Sequence, residues 1–109
     1  MSKPKRKPRK AKSVAESYAE DVGKMMRDKV NQLADDWGDT EMLVADGFDP
    51  AIVGVTEGPS PVVVYDFDEC VNVLIFRDGM TEEDALEHMS FNVTGAYVGD
   101  RTPIFIKLL

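Results

Sequence analysis

The chain is poor in the residues that most often carry chemistry. It has one cysteine, Cys70, and one histidine, His88. A single cysteine excludes an internal disulfide and any metal site built from cysteine alone, and its simplest reading is a small buried apolar residue on a helix. His88 has no serine, cysteine or carboxylate at a diagnostic spacing, so it reads as a surface residue on the outer side of a helix and not as a general base. No apolar run approaches the roughly 20 residues that cross a bilayer, and the start of the chain lacks the apolar segment of a secretory signal. The cytosol is therefore the expected compartment, and no membrane contact is expected. P-loop, dinucleotide fingerprint, zinc-protease helix and nucleophile elbow are all missing. No metal and no cofactor are expected.

Acidic residues are missing from one place. Residues 1–12 hold none, and carry instead Lys3, Lys5, Arg6, Lys7, Arg9, Lys10 and Lys12. That segment takes 7 of the 13 basic side chains, which leaves 6 against all 20 acidic ones, a net of -14 hidden inside the overall -7. With Pro4, Pro8 and almost nothing to bury, the segment is expected to be disordered in isolation. Closely spaced cations displace counterions from a nucleic-acid backbone, an attraction that is salt-sensitive and blind to sequence. Without an aromatic residue the segment has nothing on which to stack bases. A solubilising arm, an arm docked on its own acidic body, and a nuclear-targeting signal are the other readings of the same residues.

Residues 13–38 are predicted to form one long amphipathic helix. Ser13 and Glu16 make a capping box, and Gly38 supplies the stop. Tyr18, Val22, Met26, Val30, Leu33 and Trp37 recur at steps of four and three, which lays a single apolar stripe along it. At 1.5 Å per residue such a helix is about 37 Å long, longer than a body of about 70 residues is wide. Part of the stripe would stay wet in a monomer, so those six residues are the expected interface of a homo-oligomer. Asp35, Asp36 and Asp39 fall where the helix macrodipole is negative. They read as a solvated acidic end, or as a receiver for a neighbour's basic segment or a divalent ion.

Residues 41–109 read as one compact domain, with strands at residues 42–45, 52–56, 62–65, 96–98 and 103–108. Val62, Val63, Val64 and Tyr65 are β-branched or aromatic and follow Pro59 and Pro61, which cannot donate to a ladder; the lack of alternation predicts burial on both faces. Asp66 offers an N-cap to a helix with apolar residues at Phe67, Cys70, Val71, Leu74 and Ile75, and Asp78-Gly79 ends it. Thr81 and Asp84 start a second helix as a near capping box. The order β-β-β-α-α-β-β, preceded by the long helix, argues for an α+β fold with a small, mostly antiparallel sheet covered on one face by helices.

The strings DGFDPAIVG, VYDFDECVNVL, RDGMTEEDALEHMSFNVTGAYVG and TPIFI together resemble a family of short proteins frequent in tailed-phage genomes. The resemblance spans residues 43–106 and is sharpest in FNVTGAYVGDRTPIF. It implies a phage origin and a single compact domain, and brings no mechanism with it.

Polar residues gather at the predicted ends and turns, where scaffolds present binding groups. Asp46, Gly47, Asn92, Thr94, Gly95, Tyr97, Gly99, Arg101 and Thr102 are the candidate ligand-binding set, with glycine letting a ligand approach the backbone. Asn92 and Thr94 have a plainer reading as ties of the helix-to-strand turn. Asn92-Val93-Thr94 fits a glycosylation acceptor that a cytosolic protein would not use. Asp66-x-Asp68 alone offers a hard cation too few ligands. The expected function is that of a non-enzymatic phage accessory protein that binds a host macromolecule, a phage protein or a nucleoprotein complex in the host cytoplasm, or a small anionic ligand at the Gly47, Gly95 and Gly99 turns, its basic arm on nucleic acid. The alternatives are a structural virion or interaction module, and a small metal-assisted hydrolase using Asp46, Asp66 and Asp68.

Overall fold

Val63 and Tyr65 place their side chains on one side of an extended strand and both are fully buried, while Val64 between them is only half-covered. That alternation gives one fully buried face, where the sequence pattern predicted two. The strand is the centre of the fold. The computed structural model describes residues 14–109, with side chains from Ala19 onward. The elements in order are α1 (Val14–Trp37), β1 (Ile52–Val55), β2 (Val63–Asp66), α2 (Phe67–Asp78), α3 (Glu82–His88) and β3 (Ile104–Ile106). A short tight turn, Asp49–Ala51, leads into β1, and a widened helical turn, Met89–Val93, continues α3. The fold is a small α+β domain.

The sheet has three strands in the order β1-β2-β3. β1 runs antiparallel to β2, with Ile52 opposite Tyr65 and Val55 opposite Val63, and a bulge around Val53 that leaves Val53 exposed. Such a bulge re-aims one residue at the cost of local pairing. β3 runs parallel to β2, with Val64 beside Ile104 and Asp66 beside Ile106. The sheet is therefore mixed, a correction to the mostly antiparallel expectation. The cause is the connection: α2 and α3 lie between β2 and β3, and a helical crossover returns the chain in the same direction.

Two expected strands do not form. Residues 42–45 stay irregular because the Ala45 amide donates to the Tyr65 hydroxyl at 2.7 Å and the Ala45 carbonyl accepts from Phe48 in a turn; Met42, Val44 and Ala45 still pack against the core. Residues 96–98 are tied into turns as well, the Ala96 amide to the Val93 carbonyl and the Val98 amide to the Thr102 hydroxyl at 2.9 Å. The last strand is shorter than the expected 103–108.

The helix ends follow local chemistry. Asp66 caps α2 by accepting from the Asp68 and Glu69 amides at 3.0 and 3.4 Å. Gly79 stops that helix with φ of 73°, a left-handed conformation that a Cβ would penalise. Thr81 caps α3 through the Asp84 amide at 3.1 Å. The expected Ser13 cap of α1 lies outside the described residues; its other end closes at Gly38, whose amide donates to the Asp35 carbonyl.

Among the described residues the core joins Val30 of α1, Phe48 and Ala51 at the turn before β1, β1, β2, α2, Ala85 of α3 and Met89 just after it. Tyr65, Leu74, Met89, Val63 and Cys70 are its largest fully buried side chains. α1 rests on the Asp49–Ala51 turn and on β1. Gly23 is buried there, close enough to Pro50 that a Cβ would sit 3.1 Å from the proline ring, and Arg27 grips Asp49 at 2.9 and 3.0 Å. Among the described residues, no helix is long and apolar enough to cross a membrane.

Candidate binding cleft

Between the widened turn Met89–Val93 and β3 the chain forms no helix or strand, so side chains fix its path. Thr94 holds the widened turn closed, its amide and hydroxyl both donating to the Met89 carbonyl, at 2.7 and 3.1 Å. Thr102 closes the next loop: its hydroxyl donates to the Gly99 carbonyl and accepts from the Val98 amide. Arg101, between these ties, reaches away from the loop. Its Nε donates to the Pro61 carbonyl at 2.9 Å, and its Nη2 pairs with the Asp39 carboxylate, 62 positions earlier. The two side chains are only 17% and 12% exposed. One arginine thus fastens the exit of α1, the entry to β2 and the loop before β3.

The loop so fixed is one wall of an open cleft of about 780 Å³, lined by Val62, Phe67, Thr94, Tyr97, Gly99, Asp100, Thr102, Pro103, Ile104, Phe105 and Lys107. The lining is mostly apolar and aromatic. Phe105 stacks on Tyr65 with ring centres 5.2 Å apart, which ties the floor to the core. Tyr97 stands 75% exposed at the rim, its hydroxyl 3.4 Å from Asp100. Lys107 lies across the other rim, 5.3 Å above the Phe67 ring and 2.8 Å from Asp68. Both are exposed, so that ion pair adds little stability. β3 is an edge strand, and beside the cleft Ile104 is partly exposed.

Four of the nine sequence-predicted ligand residues, Thr94, Tyr97, Gly99 and Thr102, come together in this cleft. Arg101 shapes its wall and is occupied by Asp39 and Pro61. The other four do not line it. Asp46 and Gly47 form a turn against α2, where Arg77 donates to the Gly47 carbonyl; Gly47 has φ of 92°, and a Cβ there would meet the Arg77 guanidinium at 3.2 Å. The close approach that the glycine permits is made by the protein itself. At Gly95 the approaching group is the Ser90 carbonyl, 3.2 Å from where a Cβ would lie. Asn92 turns to His88, with Nδ2 and Nδ1 3.3 Å apart. Sequence reasoning missed Phe67, Phe105, Pro103 and Lys107, which read as helix or strand until the parallel return of β3 sets residues 103–107 beside 62–67.

The expected oligomer stripe is also divided. Val30 closes the core of its own chain and Met26 packs against it, so these two face inward and not toward a partner. The reason is the Gly23–Pro50 contact, which brings this part of α1 onto the body. Val22 and Leu33 are half-buried, Trp37 is 41% exposed, and the Tyr18 side chain and the basic residues Lys3 to Lys12 lie outside the described residues.

No family model matches the chain, and no curated protein or solved structure shows significant similarity to it.

Burial and ion pairing set the state of the titratable groups. Burial pushes the Cys70 thiol up to about 12, with Asp66 and Glu69 adding to the rise, so the side chain stays protonated and is a poor nucleophile. Burial likewise raises the Tyr65 hydroxyl to about 12. The Arg101 guanidinium, helped by the Glu41 amide, holds the Asp39 carboxyl below its usual value. Asp66 acts as a helix cap and Asp68 pairs with Lys107, while Asp46 lies in the separate turn against Arg77. Among the described residues, no three histidine, cysteine or acidic side chains gather as a set of metal ligands.

Proposed function

We propose that the protein acts by binding, as a phage accessory protein of the host cytoplasm whose basic arm contacts nucleic acid while its folded acidic body engages a protein partner. The observation that carries this reading is the division of charge: seven cations within the first 12 residues and a net -14 in the rest. A chain so divided offers a counterion-releasing surface to nucleic acid and repels it everywhere else. The phage assignment rests on the resemblance of residues 43–106 to that family. The cleft supports the second half of the reading, because its groups are apolar, aromatic and hydrogen-bonded among themselves, a surface suited to recognition. Self-association through α1 belongs to the same proposal, carried by the exposed end at Trp37.

The test is titration of the full chain against a duplex of random sequence, beside a variant with all seven arm cations replaced by serine. Binding is expected for the first and not for the second. Equal binding by both would remove the arm from the account. The hydrolase alternative is tested by thermal melts with magnesium and manganese, since an ion bound only by the native state raises Tm.

A further inference from the structure

Among the described residues nothing covers the cleft beside β3, and the chain carries a segment whose chemistry fits it. We propose that it takes the segment Lys3–Lys12 of a second copy of this chain. This deepens the binding reading above and rests on it for the arm's role, but its test is separate.

Three observations converge. Aromatic-lined grooves accept extended, proline-bearing peptides, because proline fixes φ and the ring packs flat on an aromatic face. The cleft supplies Phe67, Tyr97 and Phe105, and the segment supplies Pro4 and Pro8. Charge is complementary as well. Asp100 lies in the lining, and across the Arg101 wall the exit of α1 adds exposed Asp35 and Asp36, within a body of net -14. Lys107, the cation in the lining, already pairs with Asp68.

Reach selects the second copy. The wall of the cleft is fastened to Asp39, just past the C-terminal end of α1, whereas the arm leaves from the other end of a 24-residue helix, about 36 Å away. Twelve residues fully extended span at most about 43 Å. An arm docking on its own chain would be stretched along the whole of α1, with Lys5 to Lys12 strung beside the helix and only its first residues at the cleft. The arm of another molecule carries no such constraint. In this arrangement nucleic acid and the cleft compete for the same cations, so docking holds the arm back until a nucleic-acid backbone displaces it.

The experiment is amide NMR of the full chain at low salt, beside the seven-serine arm variant and Tyr97→Ala. In the unaltered chain at high concentration the Gly99, Asp100 and Lys107 amides are expected to lie away from their positions in the arm variant. They should move onto those positions on dilution, on adding salt, and on adding a duplex oligonucleotide. Tyr97→Ala should abolish the displacement while core amides of β2 and α2 stay in place. Identical cleft amides in the unaltered chain and the arm variant at every concentration would overturn the inference, as would a displacement that dilution leaves unchanged. Loss of duplex binding in the arm variant with no cleft displacement sinks this inference alone, and cleft displacement in a chain that binds no duplex sinks the nucleic-acid reading alone.

Discussion

The block from Val63 to Gly79 and the segment from Thr94 to Pro103 are neighbours in space and opposites in construction. In the first, each local preference agrees with the packing: β-branched residues make the strand, Asp66 caps the helix that follows, Gly79 stops it, and Val63, Tyr65, Cys70 and Leu74 fall inward. In the second, Ala96-Tyr97-Val98 has strand-forming residues but no strand, and its path is set by Thr94, Thr102 and the reach of Arg101 to Asp39. The first is held by burial, the second by a few directional bonds. The stable block therefore provides part of the floor, and the bonded loop a wall, of the surface available for recognition.

The largest effect is expected at Leu74. It is 2% exposed and central to the core, so Leu74→Ala should lose about 2–5 kcal/mol of stability, read from urea unfolding. A loss near zero would mean that the block is not the stable unit. Next in size is the response to alkali. Cys70 keeps its proton in the fold to about 12 but loses it near 9.0 once unfolded. Above pH 9 the folded chain binds the extra proton, so stability is expected to fall by up to about 1.4 kcal/mol per pH unit. Cys70→Ala should flatten that decline between pH 9 and 10, before Tyr65 contributes.

Arg101→Ala separates the two regions directly. Hydrogen exchange should quicken through residues 98–102 and stay slow through β2 and α2; uniform quickening of both would contradict the separation. Asp39 should give a milder form of the same effect with pH. Its carboxyl titrates below 3.8 in the fold, so its contribution is complete above the unfolded value and is lost as pH falls through the lower folded one. The smallest effect is expected at Tyr97, whose exposed ring contacts little: Tyr97→Ala should shift unfolding by no more than about 0.5 kcal/mol and still abolish docking at the cleft.

What the sequence made legible follows the same line. α2, both of its ends, the start of α3 and the buried cysteine could be read from spacing and caps, because their causes lie within a few residues of one another. The split of the ligand set could not. Whether Gly47 faces a ligand or Arg77, 30 positions on, depends on tertiary approach, as does whether Asp39 is an unpaired charge or the partner of Arg101. Residues 42–45 misled for a related reason: they have the apolar content of a strand, but the Tyr65 hydroxyl takes the Ala45 amide that a ladder would need. The parallel placement of β3 required knowing where the two helices return the chain.

The central claim is that the cations of residues 1–12 carry nucleic-acid contact for an otherwise acidic protein. Its most direct measurement is the salt dependence of duplex binding. With all seven engaged, log K should fall against log salt with a slope of about -6, and the seven-serine variant should show no measurable binding. The same slope and affinity in both proteins would contradict the account.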